Sequence, residues 1–197
     1  MKSVVQAPAP LRAHRPGLVL PSPPVTVADL DKIVHDAARV EILDGLLVAR
    51  PWPTPLRARV TDRLRTLLTD TATSGAQVFT SVQVELSPRC LLVPDIAVVA
   101  VGDPARRRIA ETPFAVVEIA DASTRRYDRT LKLDLYREFR IPVCWLVDPD
   151  SATIEAFELV GADYVPAGVV RGDDRLVATR PFPVTVTPAA LIDPPED

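Results

Sequence analysis

Lysine is almost absent from this chain. Lys2, Lys32 and Lys132 stand against twenty arginines. Arginine is always charged and bulky, whereas lysine is a compact donor whose proton affinity its surroundings can tune. A lysine inside a structured segment of such a chain therefore invites a functional question. Cysteine is scarce too. Cys90 and Cys144 make no disulfide framework, and neither has a CxxC partner for a metal. Cys144 lies in an apolar run beside Trp145, and no motif ties His14 or His35 to it, so it reads as core rather than as a nucleophile. No apolar run approaches the eighteen or so residues of a membrane span. The N-terminus lacks the apolar stretch of a signal peptide. The expected location is the cytoplasm.

What remains is ordinary for a globular domain: 197 residues, 47% hydrophobic and 25% charged. The net charge of -3 gives no global footprint for nucleic acid. Arginine is nonetheless clustered at Arg106, Arg107 and Arg108, and again at Arg125, Arg126 and Arg129. Solvated loops and phosphate contacts are both open readings of these clusters.

Residues 1–25 carry six prolines and no periodicity, and read as a flexible arm. A single domain is expected over 26–197. Thr26 suits the N-cap of a helix, and Asp44-Gly45 between two short apolar runs signals a hairpin. Pro55 suits the first turn of a helix in which Leu56, Val60, Leu64, Leu67 and Leu68 keep helical spacing. "QVFTSVQVELS" alternates as a strand, while "IAVVAV" and "FAVVEIA" read as covered ones. A helix is expected over about 126–139, then the strand "VCWLVD" and an antiparallel pair, "TIEAFEL" with "YVPAGVV". The C-terminal stretch is proline-rich and poorly defined. The order gives an α/β or α+β domain with a mixed sheet flanked by few helices.

Four acids stand out. Glu118 sits inside the apolar strand "FAVVEIA", where an isolated carboxylate costs several kcal/mol unless paired, hydrogen-bonded or bound to metal. Asp95 follows Pro94, which marks a strand edge or bulge, and opens "IAVVAV". Glu41 lies between apolar neighbours in "VEILDG". Asp128, Lys132, Leu135, Tyr136 and Phe139 fall on one helical stripe, so the apolar members carry Asp128 and Lys132 toward the sheet. Each has a bland alternative: a salt bridge for Glu118, a turn for Asp95, an edge-strand charge for Glu41, an exposed i,i+4 pair for Asp128 and Lys132. Together, hard oxygens from adjacent strands plus one lysine suit Mg²⁺ or Mn²⁺ and phosphate chemistry.

These segments resemble a known family. "VPDIAVV" and "FAVVEIADASTRRYDRTLKLDLYREFRIPVCWLVDPD", preceded by "VEILDGLLVARPWPTPLRARVTDRLRTLL", are similar to the Uma family, described as putative restriction endonucleases, within the PD-(D/E)xK nuclease superfamily. The resemblance spans about 25–165. It implies a restriction-endonuclease-like mixed sheet and a metal-dependent endonuclease acting on DNA, working as a homodimer. It further implies Asp95 and Glu118 as ligands of Mg²⁺ or Mn²⁺, with the Ile119 carbonyl and Glu41 as further ligands. The superfamily's lysine position is Ala120 here, and its role passes to Lys132, with Asp128 orienting it. On the nuclease reading, Arg125, Arg126 and Arg129 are expected to contact phosphates. The chain departs from the family at Asp121-Ala122, where Ser-Pro is usual, and at Arg140, where glycine is usual. A histidine common near the start of the second helix is absent; Arg57 and Arg59 lie there. The alternative is a non-catalytic relative that binds nucleic acid or protein.

Overall fold

The computed structural model describes residues 23–33, 40–102, 105–120 and 125–193. The expected N-terminal arm falls almost wholly outside them, as do His14, His35, Asp121, Ser123 and Thr124. The chain begins with α1 (Val27–Ile33), β1 (Val40–Leu43), β2 (Leu46–Ala49) and α2 (Pro55–Thr71). Then follow β3 (Ala76–Thr80), β4 (Val84–Ser87), β5 (Cys90–Leu92), β6 (Ile96–Ala100) and β7 (Ala115–Ile119). A helical segment comes next: α3 (Arg125–Tyr127), a π-helical turn (Asp128–Lys132) and α4 (Leu133–Glu138). It leads to β8 (Val143–Asp148), β9 (Thr153–Val160) and β10 (Asp163–Arg171), then to β11 (Leu176–Ala178), β12 (Val184–Val186) and α5 (Pro188–Ile192).

The expected caps and turns are present. The Thr26 hydroxyl accepts from the Asp29 N–H at 3.2 Å, and the Asp29 carboxylate accepts from the Thr26 N–H at 3.2 Å. Two orphan donors of α1 are thereby satisfied reciprocally. Asp44 and Gly45 take φ of +46° and +82°, the paired positive values of a two-residue hairpin turn. Gly45 is required twice over, because a Cβ there would lie 2.8 Å from Pro24 Cβ. Thr54 caps α2 by accepting from the Arg57 N–H at 3.2 Å.

Among the described residues the strands form two main sheets and a separate β11–β12 pair. A six-stranded sheet runs in the order β10-β9-β8-β7-β6-β3, and a four-stranded one β2-β1-β5-β4. β7 and β8 are parallel, the other neighbours in the larger sheet antiparallel. The mixed sheet of the expected fold class is therefore present. Parallel neighbours need a crossover, and the helical segment after β7 supplies it. That crossover carries Asp128 and Lys132 over the face of β7 that bears Glu118.

The two faces of the larger sheet bury different things. Val117 and Ile119 of β7, with Trp145 and Val147 of β8, pack against Val60, Leu64 and Leu68 of α2. Val116, Cys144 and Leu146 face the other way, toward Tyr136 and toward Leu43, Cys90 and Leu92 of the smaller sheet. Cys144 is fully enclosed, and its thiol is pushed well up by burial, so its reading as core holds.

Two expectations need correction. "QVFTSVQVELS" is two strands in different sheets, not one. Ser81 breaks it with φ of +52°, in the left-handed region, and gives its N–H to the Asp95 carbonyl at 3.1 Å. The C-terminal stretch is also ordered, as a β11–β12 hairpin and α5. Leu176, Phe182, Val184, Val186 and Leu191 are buried on the α2 face, a pattern the intervening prolines conceal. Among the described residues no helix is long and apolar enough to cross a membrane.

Candidate active site

Seven charged side chains are buried among the described residues: Glu41, Asp95, Glu118 and Asp128 against Arg50, Arg57 and Lys132. Ion pairs link five of them, Glu41, Arg50, Glu118, Asp128 and Lys132. Arg57 and Asp95 form a second pair, whose charge acts on Glu118; together the seven stand on three supports. β1 and the residue after β2 provide Glu41 and Arg50. The ends of β6 and β7, with the first turn of α2, provide Asp95, Glu118 and Arg57. The π turn provides Asp128 and Lys132.

Lys132 is at its centre. Its Nζ donates to Glu118 Oε1 at 2.6 Å and lies 2.8 Å from Glu41 Oε1, with none of the three side chains reached by solvent. Burial alone would lower the lysine's proton affinity; Glu118 and Glu41 outweigh it and hold Lys132 charged. Glu118 Oε1 also accepts from the Tyr136 hydroxyl at 2.5 Å. Glu118 Oε2 is buried with no hydrogen-bond partner. Burial is the dominant influence on Glu118. Lys132 counters it, but Asp128, Asp95 and Glu41 add repulsion, and the carboxyl is pushed up to about 8.

Glu41 is fully engaged. Oε1 accepts from the Val93 N–H at 2.8 Å, and Oε2 from the Tyr127 hydroxyl at 2.9 Å, with Arg50 Nε at 3.5 Å. Burial works against its ionised form, but Lys132 and Arg50 prevail and hold it below the usual carboxylate range. Arg50 also lies 3.2 Å from Asp128 Oδ1 and 5.0 Å from the Tyr127 ring centroid.

Asp95 stands at the end of the β6–β7 ladder. That ladder closes at Ile96 and Val117. One step further, the Asp95 carboxylate takes the place of a main-chain acceptor: Oδ2 accepts from the Ile119 N–H at 2.7 Å. The rest of the carboxylate is gripped by Arg57, through Nε to Oδ1 at 3.2 Å and Nη2 to Oδ1 and Oδ2 at 2.8 and 2.6 Å.

The geometry thus brings Glu41, Asp95, Glu118, Asp128 and Lys132 into one buried cluster, as the sequence leads one to expect. Their pairings differ from expectation in one respect. The acids oriented on Lys132 are Glu118 and Glu41, while the Asp128 carboxylate lies against Arg50. Arg50, Arg57, Tyr127 and Tyr136 escape a reading by sequence. Tyr136 left a signal in its place on the Lys132 stripe, and Arg57 in standing in the region where the family's histidine is usual. Arg125 pairs with Asp148 at 2.9 Å and Asp150 at 3.1 Å, and Arg129 pairs with Glu155; both arginines are partly exposed. Arg107 and Arg108, on the connection before β7, tie to Asp31 of α1, with the Arg108 side chain largely buried, and Arg106 pairs with Glu111 of the same connection at the surface.

A family model for Uma2, described as "Putative restriction endonuclease", matches residues 27–191. The chain is a member of the Uma2 family. Its fold is shared with a solved structure described as a putative nuclease belonging to DUF820 from Anabaena variabilis, with a TM-score of 0.71 at 18% identity. The alignment covers 86% of this Uma2 chain and 98% of that one. No curated protein matches the chain. In the frame of the Uma2 family, the buried cluster is the candidate active site of a nuclease.

The cluster's chemistry can be tested against the divalent ion that such a nuclease family implies. Its donors are hard oxygens, as Mg²⁺ and Mn²⁺ require. Four carboxyl groups are gathered with three cations, and Glu118 Oε2 is directed at no donor. Among the described residues no three acids already converge as a preformed metal cage. The residues fit the ion in type, with Arg57 engaged on Asp95.

Proposed function

We propose that this Uma2 chain is an endonuclease that hydrolyses phosphodiester bonds in DNA, with Asp95 and Glu118 as the residues that hold Mg²⁺ or Mn²⁺. The observation carrying this is the buried lysine–glutamate pair beside a second strand-end carboxylate, with Glu118 Oε2 unpartnered. Such burial is costly to keep, and structure alone gives little reason for it, because well-packed apolar residues stabilise a core at least as well. The bound ion would supply a polarised water and offset the charge growing on phosphate. The Ile119 carbonyl, next to Glu118 in β7, is the further ligand.

Lys132 is the group placed to orient the attacking water and meet developing negative charge. Glu118 and Glu41 fix its ammonium from two sides, and Tyr136 fixes Glu118 in turn. Glu41, with both oxygens occupied, serves better as the anchor of Lys132 than as a ligand. Asp128 acts on this centre through Arg50. Arg125 and Arg126 of α3, with Arg129 of the π turn, would meet the phosphate backbone. A homodimer would bring two such sites to the two strands.

The deciding test is cleavage of plasmid DNA with Mg²⁺ or Mn²⁺, alongside thermal melting in each ion. Wild type should cut and gain melting temperature with metal. Asp95→Asn and Glu118→Gln should do neither, and Lys132→Met should bind metal without cutting. A second reading is favoured by one contact, the Arg57 grip on Asp95: a nuclease fold retained only for binding nucleic acid or protein. DNA binding with no metal response and no cleavage would establish that reading and end the first.

A further inference from the structure

We infer that Arg57 occupies Asp95 in competition with the divalent ion, and so sets the metal affinity of the site. This rests on the nuclease reading above and concerns how that site fills. A carboxylate offers about four lone-pair positions, two on each oxygen. On Asp95 all four are taken. Oδ1 accepts Arg57 Nε and Nη2; Oδ2 accepts Arg57 Nη2 and the Ile119 N–H. A metal ion can coordinate Asp95 only if one donor leaves.

The two donors are not equally free to leave. The Ile119 N–H is main chain of β7, held in register with Val147 of β8, so it cannot turn away without moving the strand end. Arg57 is a side chain on the first turn of α2, where the positive end of the helix dipole disfavours a cation. Among the described residues that turn holds no acid. Three hydrogen bonds tie Arg57 to Asp95, and a doubly charged ion is the stronger claimant for that carboxylate. There is also a way in. A cleft of about 200 Å³ reaches Asp95, lined by Ala58, Thr61 and Arg65 of α2 and by Thr80 and Ser81.

The exchange makes the filled site unlike the empty one. With the ion on Asp95, the Arg57 guanidinium is released from that carboxylate beside a cleft open to solvent, and a substrate phosphate is an anion that suits it. The resting chain carries its own counter-ion, so metal and substrate arrive at a site already neutralised in part.

The experiment is Mn²⁺ titration of the full chain, followed by the electron paramagnetic resonance of free Mn²⁺. The forms compared are wild type, Arg57→Gln, Arg57→Lys and Asp95→Asn/Arg57→Gln. Arg57→Gln should bind Mn²⁺ at least tenfold more tightly than wild type. Arg57→Lys, which keeps the charge but loses the two-pronged grip, should gain several-fold. The double variant should lose the gain. Wild-type binding with unchanged or weaker affinity in both single variants overturns the inference while leaving the metal-dependent reading intact. Absence of binding in every form overturns both. Binding in Arg57→Gln alone supports the competition and shows that the wild type is shut. Should Arg57→Gln fail to fold, nuclear magnetic resonance of the wild type decides. The Arg57 Nε–H, sheltered from exchange on Asp95, should lose that shelter as Mg²⁺ is added. Unchanged protection at saturating Mg²⁺ overturns the inference.

Discussion

Lys132 and Glu118 are fourteen residues apart in sequence and 2.6 Å apart in the fold, and solvent reaches neither. A strand in the middle of the larger sheet carries one, and the crossover leaving that strand carries the other.

The first prediction concerns pH. The Glu118 carboxyl titrates at about 8 in the folded chain, well above its value in an unfolded one. Between those two values the folded state holds a proton that the unfolded state has released. Stability from this group is therefore complete at low pH and is lost as pH rises toward about 8, by at most ~1.4 kcal/mol per unit. Wild type should lose melting temperature between pH 6 and pH 9 more steeply than Glu118→Gln does. Parallel slopes would show that Glu118 is ionised throughout.

Removal of the central cation should be severe. Lys132→Met leaves Glu118 and Glu41 buried without it, and breaking such a pair from one side costs on the order of 3–5 kcal/mol. Urea denaturation should report that loss. Adding Glu118→Gln to Lys132→Met should recover part of it, a non-additivity that reads the coupling directly.

Much of this arrangement could be read in the sequence, and the unread part has a physical cause. Apolar periodicity marks which side of an element is buried, so Glu118 inside "FAVVEIA" and Lys132 on the Tyr136 stripe announced themselves. Counter-ions chosen from distant segments leave no period. Arg50 closes β2's exit and Arg57 opens α2, each amid prolines, and both looked like ordinary loop or helix-start arginines. The smaller sheet was hidden for a similar reason: Ser81 turns the chain with a positive φ that neither serine nor its neighbours advertise. The C-terminal hairpin was hidden by prolines among its apolar residues.

The surface arginines should behave differently from the buried ones. Arg125→Ala and Arg129→Ala each remove a partly exposed ion pair, and such pairs contribute about 0–1 kcal/mol. Melting temperature should hardly move. If both residues meet DNA phosphates, the dependence of binding on salt should flatten by about 0.9 in slope for each. Fluorescence anisotropy with labelled duplex at a series of salt concentrations measures this.

At the hairpin turn, Gly45→Ala should destabilise by more than about 1 kcal/mol. The added methyl meets Pro24 at 2.8 Å and the backbone holds φ of +82°. Chemical denaturation should register the loss with the far-UV spectrum of the native state unchanged.

The wide turn at Asp128–Lys132 has a further consequence, for the lengths of chain this helix can accept. A π-helical turn holds one residue more than an α-helical turn while the helix on either side keeps its direction. Here the Leu133 N–H reaches back to the Asp128 carbonyl. The segment behaves as a regular helix with one supernumerary residue looped into it. Shortening the chain by one exposed position inside the loop, such as Thr130, would leave an α-helix with Tyr136 still aimed at Glu118. The same deletion within α4 would swing everything beyond it by about 100°. The loss of one residue should therefore be tolerated here, and a deletion scan over Arg125–Glu138 scored by soluble yield should show a permissive window at the π turn.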